Sequence, residues 1–388
     1  MVTPRHLLVG IGLLAAAASG AACRDANAKR PPGEGPEASP SRAVRQGLFI
    51  EANPLLSRGK RAVGWSPVRF ADPKTVNDGD HKTTWGAGKP TPERPAWVAI
   101  DLGKGPLRVL LAWSAGGSFN YAETDYGSPG AYRIETSADS TDGADGAWKA
   151  VAGAIAVTTH AQAHSFDFAG QRWVKFVVTG APAQSPNGVQ IDEIDVHDVS
   201  AGVSDSWFFM GDSIVAFAFG RPPAPDLAFA AVVHQRRPRH FPAVINGGIG
   251  GEKSDEGVRH IDEWLAQNPD SRFWCLEYGT NDAAGDASDT SRFKSNLETL
   301  VGRIQKAGRV PILATIPFAS DGHHRNIPRF NGVIDALRAA FSLPAGPDLY
   351  TWFSAHPEEL RDGLHPDDRG IASINRLWAE AVDPLYTH

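Results

Sequence analysis

Three short stretches carry residues able to do acyl-transfer chemistry: Gly211-Asp212-Ser213, Gly279-Thr280-Asn281-Asp282 and Asp362-Gly363-Leu364-His365-Pro366. Ester hydrolysis needs a nucleophilic hydroxyl, an imidazole to take and return its proton, and a carboxylate to fix the imidazole's tautomer. Ser213, His365 and Asp362 supply these types. Each also has a plainer local reading. Ser213 and Asp362 would serve as helix N-caps, and Asn281 as a turn residue. The Asp-x-x-His spacing by itself decides little, because Asp78/His81 and Asp321/His324 share it. The coincidence of all three stretches favours chemistry, with Ser213 attacking, His365 acting as base and then acid, and Asp362 orienting it.

Elements must bring these stretches together. Apolar runs at 207–210, 243–245, 273–278, 310–316 and 349–353 read as strands. Between them, Val258, Ile261, Trp264 and Leu265 make a helical stripe. Phe293, Leu297, Leu300, Val301 and Ile304 make a second, and Ile371, Ile374, Leu377 and Trp378 a third. Alternating strands and helices imply a parallel sheet with helices on both faces. In such sheets, sites form outside the carboxyl ends of the strands, where all three stretches fall. The loop 316–324, with His323 and His324, should overhang the same edge and shape the substrate pocket. Cys275, mid-strand among Phe273, Trp274 and Leu276, reads as a buried small hydrophobe.

In order and content the three motifs resemble the SGNH hydrolases, the GDSL-type esterase and lipase superfamily, over roughly residues 203–388. The resemblance implies an α/β, flavodoxin-like parallel sheet (the SGNH hydrolase fold) and a serine esterase needing no cofactor for catalysis. It also implies an oxyanion hole of the Ser213 N–H, the Gly251 N–H and the Asn281 amide. The local sequence departs from the Gly-x-Ser-x-Gly elbow, since Val215 stands at the second glycine position, which points away from the α/β-hydrolase fold. The glycine run 247–251 does not fit a dinucleotide fingerprint either, because Lys253 takes the third glycine's place.

Residues 46–200 have another texture. Alternating segments at 97–102, 132–136, 173–178 and 191–196 are separated by Gly, Pro, Asn and Asp clusters, an all-β pattern. Their order is similar to discoidin-type, galactose-binding-like jelly-roll sandwiches, which implies a carbohydrate-binding module. The same resemblance implies a structural calcium ion held by Asp78, Asp80, Thr83 and Glu193, whose hard oxygens suit that ion. Trp65, Trp85, Trp97, Trp113, Trp148 and Trp173 fall in this region. Aromatic faces stack on sugars, but most sandwich tryptophans are core.

The chain has 388 residues, enough for two domains, and a formal net charge of −6 with no basic stripe, which argues against nucleic acid. Residues 1–22 read as a signal peptide, and 23–45, rich in Pro and Gly, as a disordered tether. Cys23 is expected to be lipidated, in the manner of a bacterial lipoprotein at the outer membrane or cell surface. Gly20 departs from that signal, so simple cleavage after Ala22, into the periplasm or medium, stays open. The expectation is thus an exported serine esterase, touching membrane only through its anchor, that removes O-acetyl groups from polysaccharide. Its rivals are an esterase for lipid, aryl or other small acyl esters, a sugar O-acyltransferase, and a non-catalytic glycan-binding lipoprotein.

Overall fold

The computed structural model describes residues 48–386, apart from 70, 116–126, 158 and 183–187. The expected signal peptide, Cys23 and the tether lie outside the described residues. Gln46–His388 makes one compact unit.

Nine antiparallel strands come first: β1 (Ala62–Trp65), β2 (Trp85–Gly88), β3 (Ala96–Asp101), β4 (Arg108–Ala115), β5 (Ala131–Ser137), β6 (Lys149–Ile155), β7 (Ala161–Asp167), β8 (Trp173–Gly180) and β9 (Val189–Asp198). They form two sheets, ordered β1-β3-β8-β5-β6 and β2-β9-β4-β7. Alternation along each strand sends Val98, Ile100, Ile134, Val174 and Phe176 of the first sheet against Leu111, Trp113, Ile191, Ile194 and Val196 of the second. The region is therefore a sandwich. Trp85, Trp113 and Trp173 are buried, while Trp65 and Trp97 face each other across β1 and β3 on the outer side.

A parallel sheet follows, of β10 (Ser206–Gly211), β11 (Ala243–Gly248), β12 (Phe273–Glu277) and β13 (Val310–Leu313), in the order β11-β10-β12-β13. Successive residues of β10 point to opposite cores. Phe208 and Met210 pack with α3 (Ser254–Gln267), α4 (Ser291–Lys306) and α5 (Ile327–Ala340). Trp207 and Phe209 pack with α1 (Ser213–Gly220), α2 (Phe229–Arg236), α6 (Leu349–Ala355) and α7 (Asp368–Val382). A strand with apolar side chains on both faces is what a fully covered parallel sheet requires. The three helical stripes are α3, α4 and α7. No described helix is long and apolar enough to cross a membrane.

One expected strand is a helix. Residues 349–353 belong to α6, because Asp348 caps its first turn by accepting from the Thr351 N–H, and Leu349 and Phe353, four apart, are the buried pair. The sheet thus has four strands, and a lone parallel bridge between Leu313 and Ala345 stands where a fifth would pair.

The sandwich closes the open edge of the parallel sheet. Leu110, Ala112, Ala161 and Ala163 share one core with Ala243 and Ile245 of the edge strand β11. Edge N–H groups of β7 are met by side chains beyond α3, Ala163 N–H by Asn268 and Ser165 N–H by Asp270. The connection between the two halves is fixed by Asn53. Its amide oxygen accepts from the N–H groups of Ser204 and Asp205, and its amide nitrogen donates to Asp198 O and Gly202 O.

Close approach of α1 to the sheet depends on glycine. Gly248 pairs with Gly211, and a Cβ at Gly248 would lie 2.3 Å from the Ala216 backbone nitrogen. Gly248→Ala should therefore push α1 outward and lower stability by about 1–3 kcal/mol, read from urea unfolding. An unchanged unfolding midpoint would contradict this packing.

Candidate active site

The parallel register sets the site. Gly211 stands beside Gly248 on one side and Glu277 on the other, so the loops after β10, β11 and β12 leave the sheet flush. Ser213 lies two residues beyond the first strand end, Gly251 three beyond the second and Asn281 four beyond the third. Asp212 caps α1, its Oδ1 accepting from the Ile214 N–H, which places Ser213 at the first helical position.

The base arrives from a tight loop. An antiparallel bridge joins Leu360 to Pro366, and the Arg361 N–H donates to His365 O at 3.0 Å. Gly363 turns the tip with φ +81°, a left-handed conformation that favours glycine, and a Cβ there would lie 3.0 Å from Ser320 Oγ. Asp362 Oδ1 accepts from the N–H groups of Leu364 and His365, and its Oδ2 accepts from His365 Nδ1 at 2.8 Å. With Nδ1–H committed to the carboxylate, Nε2 carries the lone pair. That atom lies 3.0 Å from Ser213 Oγ. The structure thus brings Ser213, His365 and Asp362 into one chain of hydrogen bonds. Burial works against the Asp362 charge, but the His365 and Leu364 hydrogen bonds outweigh it and hold the group down to about 2. The carboxylate is therefore ionised at neutral pH.

Asn281 and Gly251 meet at the turn after β11. The turn Ile249–Glu252 is closed by the Glu252 N–H on Ile249 O, and Gly251 sits exposed in it at φ +80°. The Asn281 amide donates to Glu252 O at 2.9 Å, which ties its side chain to that turn and leaves its second amide hydrogen for another acceptor. Asp282 fixes the other end by accepting from the N–H and hydroxyl of Ser254, at the start of α3.

Sequence reading missed the acids beneath the nucleophile. Glu277, at the end of β12, is fully buried, with Oε2 accepting from Trp378 Nε1 at 3.2 Å. Its Oε1 and Asp212 Oδ2 have no hydrogen-bond partner among the described residues. A glutamate closing an apolar strand just before the Gly-Thr-Asn-Asp stretch was the available signal.

The loop 316–324 does reach the catalytic loop, the Ser320 N–H donating to Gly363 O at 2.7 Å. Within it, Asp321 and His324 repeat the Asp362–His365 arrangement, with Nδ1 to Oδ2 at 2.7 Å. Cys275 is buried, and burial pushes its thiol well up.

The residues of the calcium expectation lie in one hydrogen-bonded loop. Asp78 accepts from Thr83 Oγ1 and the Asp80 N–H, Asp80 accepts from the Lys82 N–H, and Glu193 accepts from the Gly79 N–H. The positive charge here belongs to Arg58, which pairs with Asp195 at 3.3 Å and crowds Gly79. Several of these oxygens serve the loop's own donors, while the buried Glu193 Oε1 has no hydrogen-bond partner among the described residues. No group of three or more His, Cys, Asp or Glu among the described residues is placed to hold a metal ion.

Residues 209–372 match the model of the GDSL-like Lipase/Acylhydrolase family. Comparison with curated proteins finds no match. Among solved structures, the chain is similar to a lipase/acylhydrolase from Enterococcus faecalis, at 26% identity and TM-score 0.39, over 46% of this chain and 95% of that one. It is similar to an acetyl xylan esterase from Geobacillus stearothermophilus, at 19% identity and TM-score 0.39, over 47% and 96%. It is also similar to chitosan-binding module 1 of a chitosanase/glucanase from Paenibacillus sp. IK-5, at 20% identity and TM-score 0.29, over 37% and 97%.

The buried acids have a consequence for stability. Burial raises Asp212 to about 7, with the Asp282 and Glu252 charges adding to it, and raises Glu277 to about 8, with the Asp212 charge adding to it. In the unfolded chain both ionise near pH ~4. Between ~4 and about 8 the native state holds protons that the unfolded state has released, so stability falls as pH rises through this window and levels above it. Glu277→Gln removes one of these groups. Urea unfolding at pH 5 and pH 8.5 should show a smaller loss for the variant than for the unmodified protein. An equally steep loss in both would refute the assignment.

Proposed function

Through residues 209–372 the chain belongs to the GDSL-like lipase/acylhydrolase family and is an ester-bond hydrolase, and from that premise we propose a serine esterase that removes O-acetyl groups from polysaccharide outside the cytoplasm. The observation carrying the reading is the 3.0 Å contact of Ser213 Oγ with His365 Nε2, continued from Nδ1 to Asp362 at 2.8 Å. Ser213 Oγ attacks the ester carbonyl carbon as its proton passes to Nε2. The carbonyl oxygen becomes an oxyanion, held by the Ser213 N–H, the Gly251 N–H and the Asn281 amide. Collapse breaks the bond to the alcohol oxygen, which takes the proton from Nε2 and leaves. Water then attacks the acyl-enzyme, giving its proton to Nε2, and the second collapse returns that proton to Ser213 as the carboxylic acid departs. Asp362 stabilises the imidazolium throughout. Every step uses protein groups and water alone.

A polymeric substrate is supported by exposure. The side chains of His365 and Asp362 are 26% and 50% exposed, so the dyad meets an ester on a bulky chain at the protein surface. The sandwich supports the same reading, since Trp65, 37% exposed, stands beside Trp97 on its outer face. Export rests on the sequence of residues 1–22, and a lipid anchor at Cys23 follows from the small residues before it.

Ser213→Ala should abolish hydrolysis of 4-nitrophenyl acetate and of acetylated xylan. Asn281→Ala should lower kcat by about 10²–10³, as loss of one oxyanion donor does. Turnover by the Ser213 variant at the unmodified rate would end the nucleophile assignment. Activity confined to long-chain esters would replace the polysaccharide reading with a lipid one.

A further inference from the structure

The rim of this site carries a cation that ester hydrolysis itself does not use. Arg361 begins the catalytic loop, and its backbone is anchored to His365 O. Its guanidinium lies 4.6 Å over the ring of Phe217, an attractive geometry for a cation and an aromatic face. Phe217 stands one helical turn after Ser213 on α1, and its ring meets that of His365 edge to face, at 5.9 Å and 90°. Nucleophile, base, aromatic ring and guanidinium thus form one continuous surface. Most arginines here are paired with carboxylates, Arg172 with Asp101, Arg237 with Asp383 and Arg369 with Asp367. Arg361 is exposed and, among the described residues, has no carboxylate within ion-pair distance.

We propose that Arg361, held on Phe217, recognises a negative charge on the alcohol portion of the substrate, so that the preferred ester is an O-acylated sugar bearing a carboxylate or a sulfate. The inference rests on the esterase reading above. Its direction comes from the chemistry of His365. The imidazole gives its proton to the departing alcohol oxygen, so the alcohol lies on the His365 side of Ser213, away from Gly251 and Asn281. Phe217 and Arg361 touch that same side. The neighbouring Asp362 makes no ion pair with the guanidinium, its oxygens accepting from the Leu364 N–H, the His365 N–H and the His365 ring. A guanidinium meeting a carboxylate or sulfate in two parallel hydrogen bonds selects for planar or tetrahedral anions.

The test compares kcat/KM on O-acetylated methyl galacturonoside, on its neutral methyl ester and on an O-acetylated galactose 6-sulfate. The ratio of charged to neutral does not depend on how much of a variant is folded. The unmodified protein should prefer a charged sugar by about tenfold, chiefly through KM, and added salt should shrink the preference. Arg361→Ala should bring the ratio near one, Arg361→Glu should invert it, and Arg361→Lys should keep part of it. Preference for the uronate or for the sulfate tells which anion is read. A ratio that is the same in the unmodified protein and in Arg361→Glu would overturn the proposal while leaving the esterase reading intact. No turnover of 4-nitrophenyl acetate by the unmodified protein would remove the esterase reading, and this one with it.

Discussion

The flush parallel pairing of Gly211 with Gly248 and Glu277 is the constraint on which the rest of the site depends. It brings three strand ends to one level, so that short loops suffice to place a hydroxyl, a backbone turn and an amide side by side. Glycine at both Gly211 and Gly248 is what lets α1 descend onto the sheet. At Gly211 an added Cβ would strike Glu277 O at 2.5 Å and Val215 at 2.6 Å. The helix cannot be lifted without lifting Ser213 from His365, whose own position is set independently by the loop closed between Leu360 and Pro366.

Placing the nucleophile there carries an energetic cost. Asp212 must be buried to cap α1, and Glu277 ends the central strand next to it, neither of them in an ion pair among the described residues. Their orphaned oxygens and raised proton affinities are the result. Trp207, Phe208, Phe209 and Met210, apolar on both faces of β10, supply the burial that offsets it. A rigid apolar sheet under a polar, half-exposed rim keeps the reacting groups fixed while leaving them open to a large substrate.

The β-sandwich belongs to the same mechanical unit. Its strands β4 and β7 cover the edge strand β11, which would otherwise present free backbone groups to solvent. Asn53 locks the connection, and Asp205 anchors the chain end through Trp207 Nε1 and the Tyr386 hydroxyl.

The sequence by itself determined the elements whose information is local. Apolar alternation located β3, β5, β8 and β9 of the sandwich, apolar runs located the four parallel strands, the stripes located α3, α4 and α7, and three motifs named Ser213, His365 and Asp362. Where a signal was ambiguous locally, it misled: the aromatic run of α6 has strand propensity, and only its cap and its buried Leu349–Phe353 pair make it a helix. The Asp78, Asp80 and Glu193 carboxylates are of ligand type, and only the structure shows that the N–H groups of Asp80, Lys82 and Gly79 hydrogen-bond to them. Asp321–His324 shows the limit most directly, since it matches Asp362–His365 in spacing, in backbone capping and in ring contact. The family resemblance selects Asp362–His365, and the tertiary structure supplies the reason: Ser213, carried by the parallel register, meets His365, carried by the loop closed between Leu360 and Pro366, across a separation in sequence that no local pattern encodes.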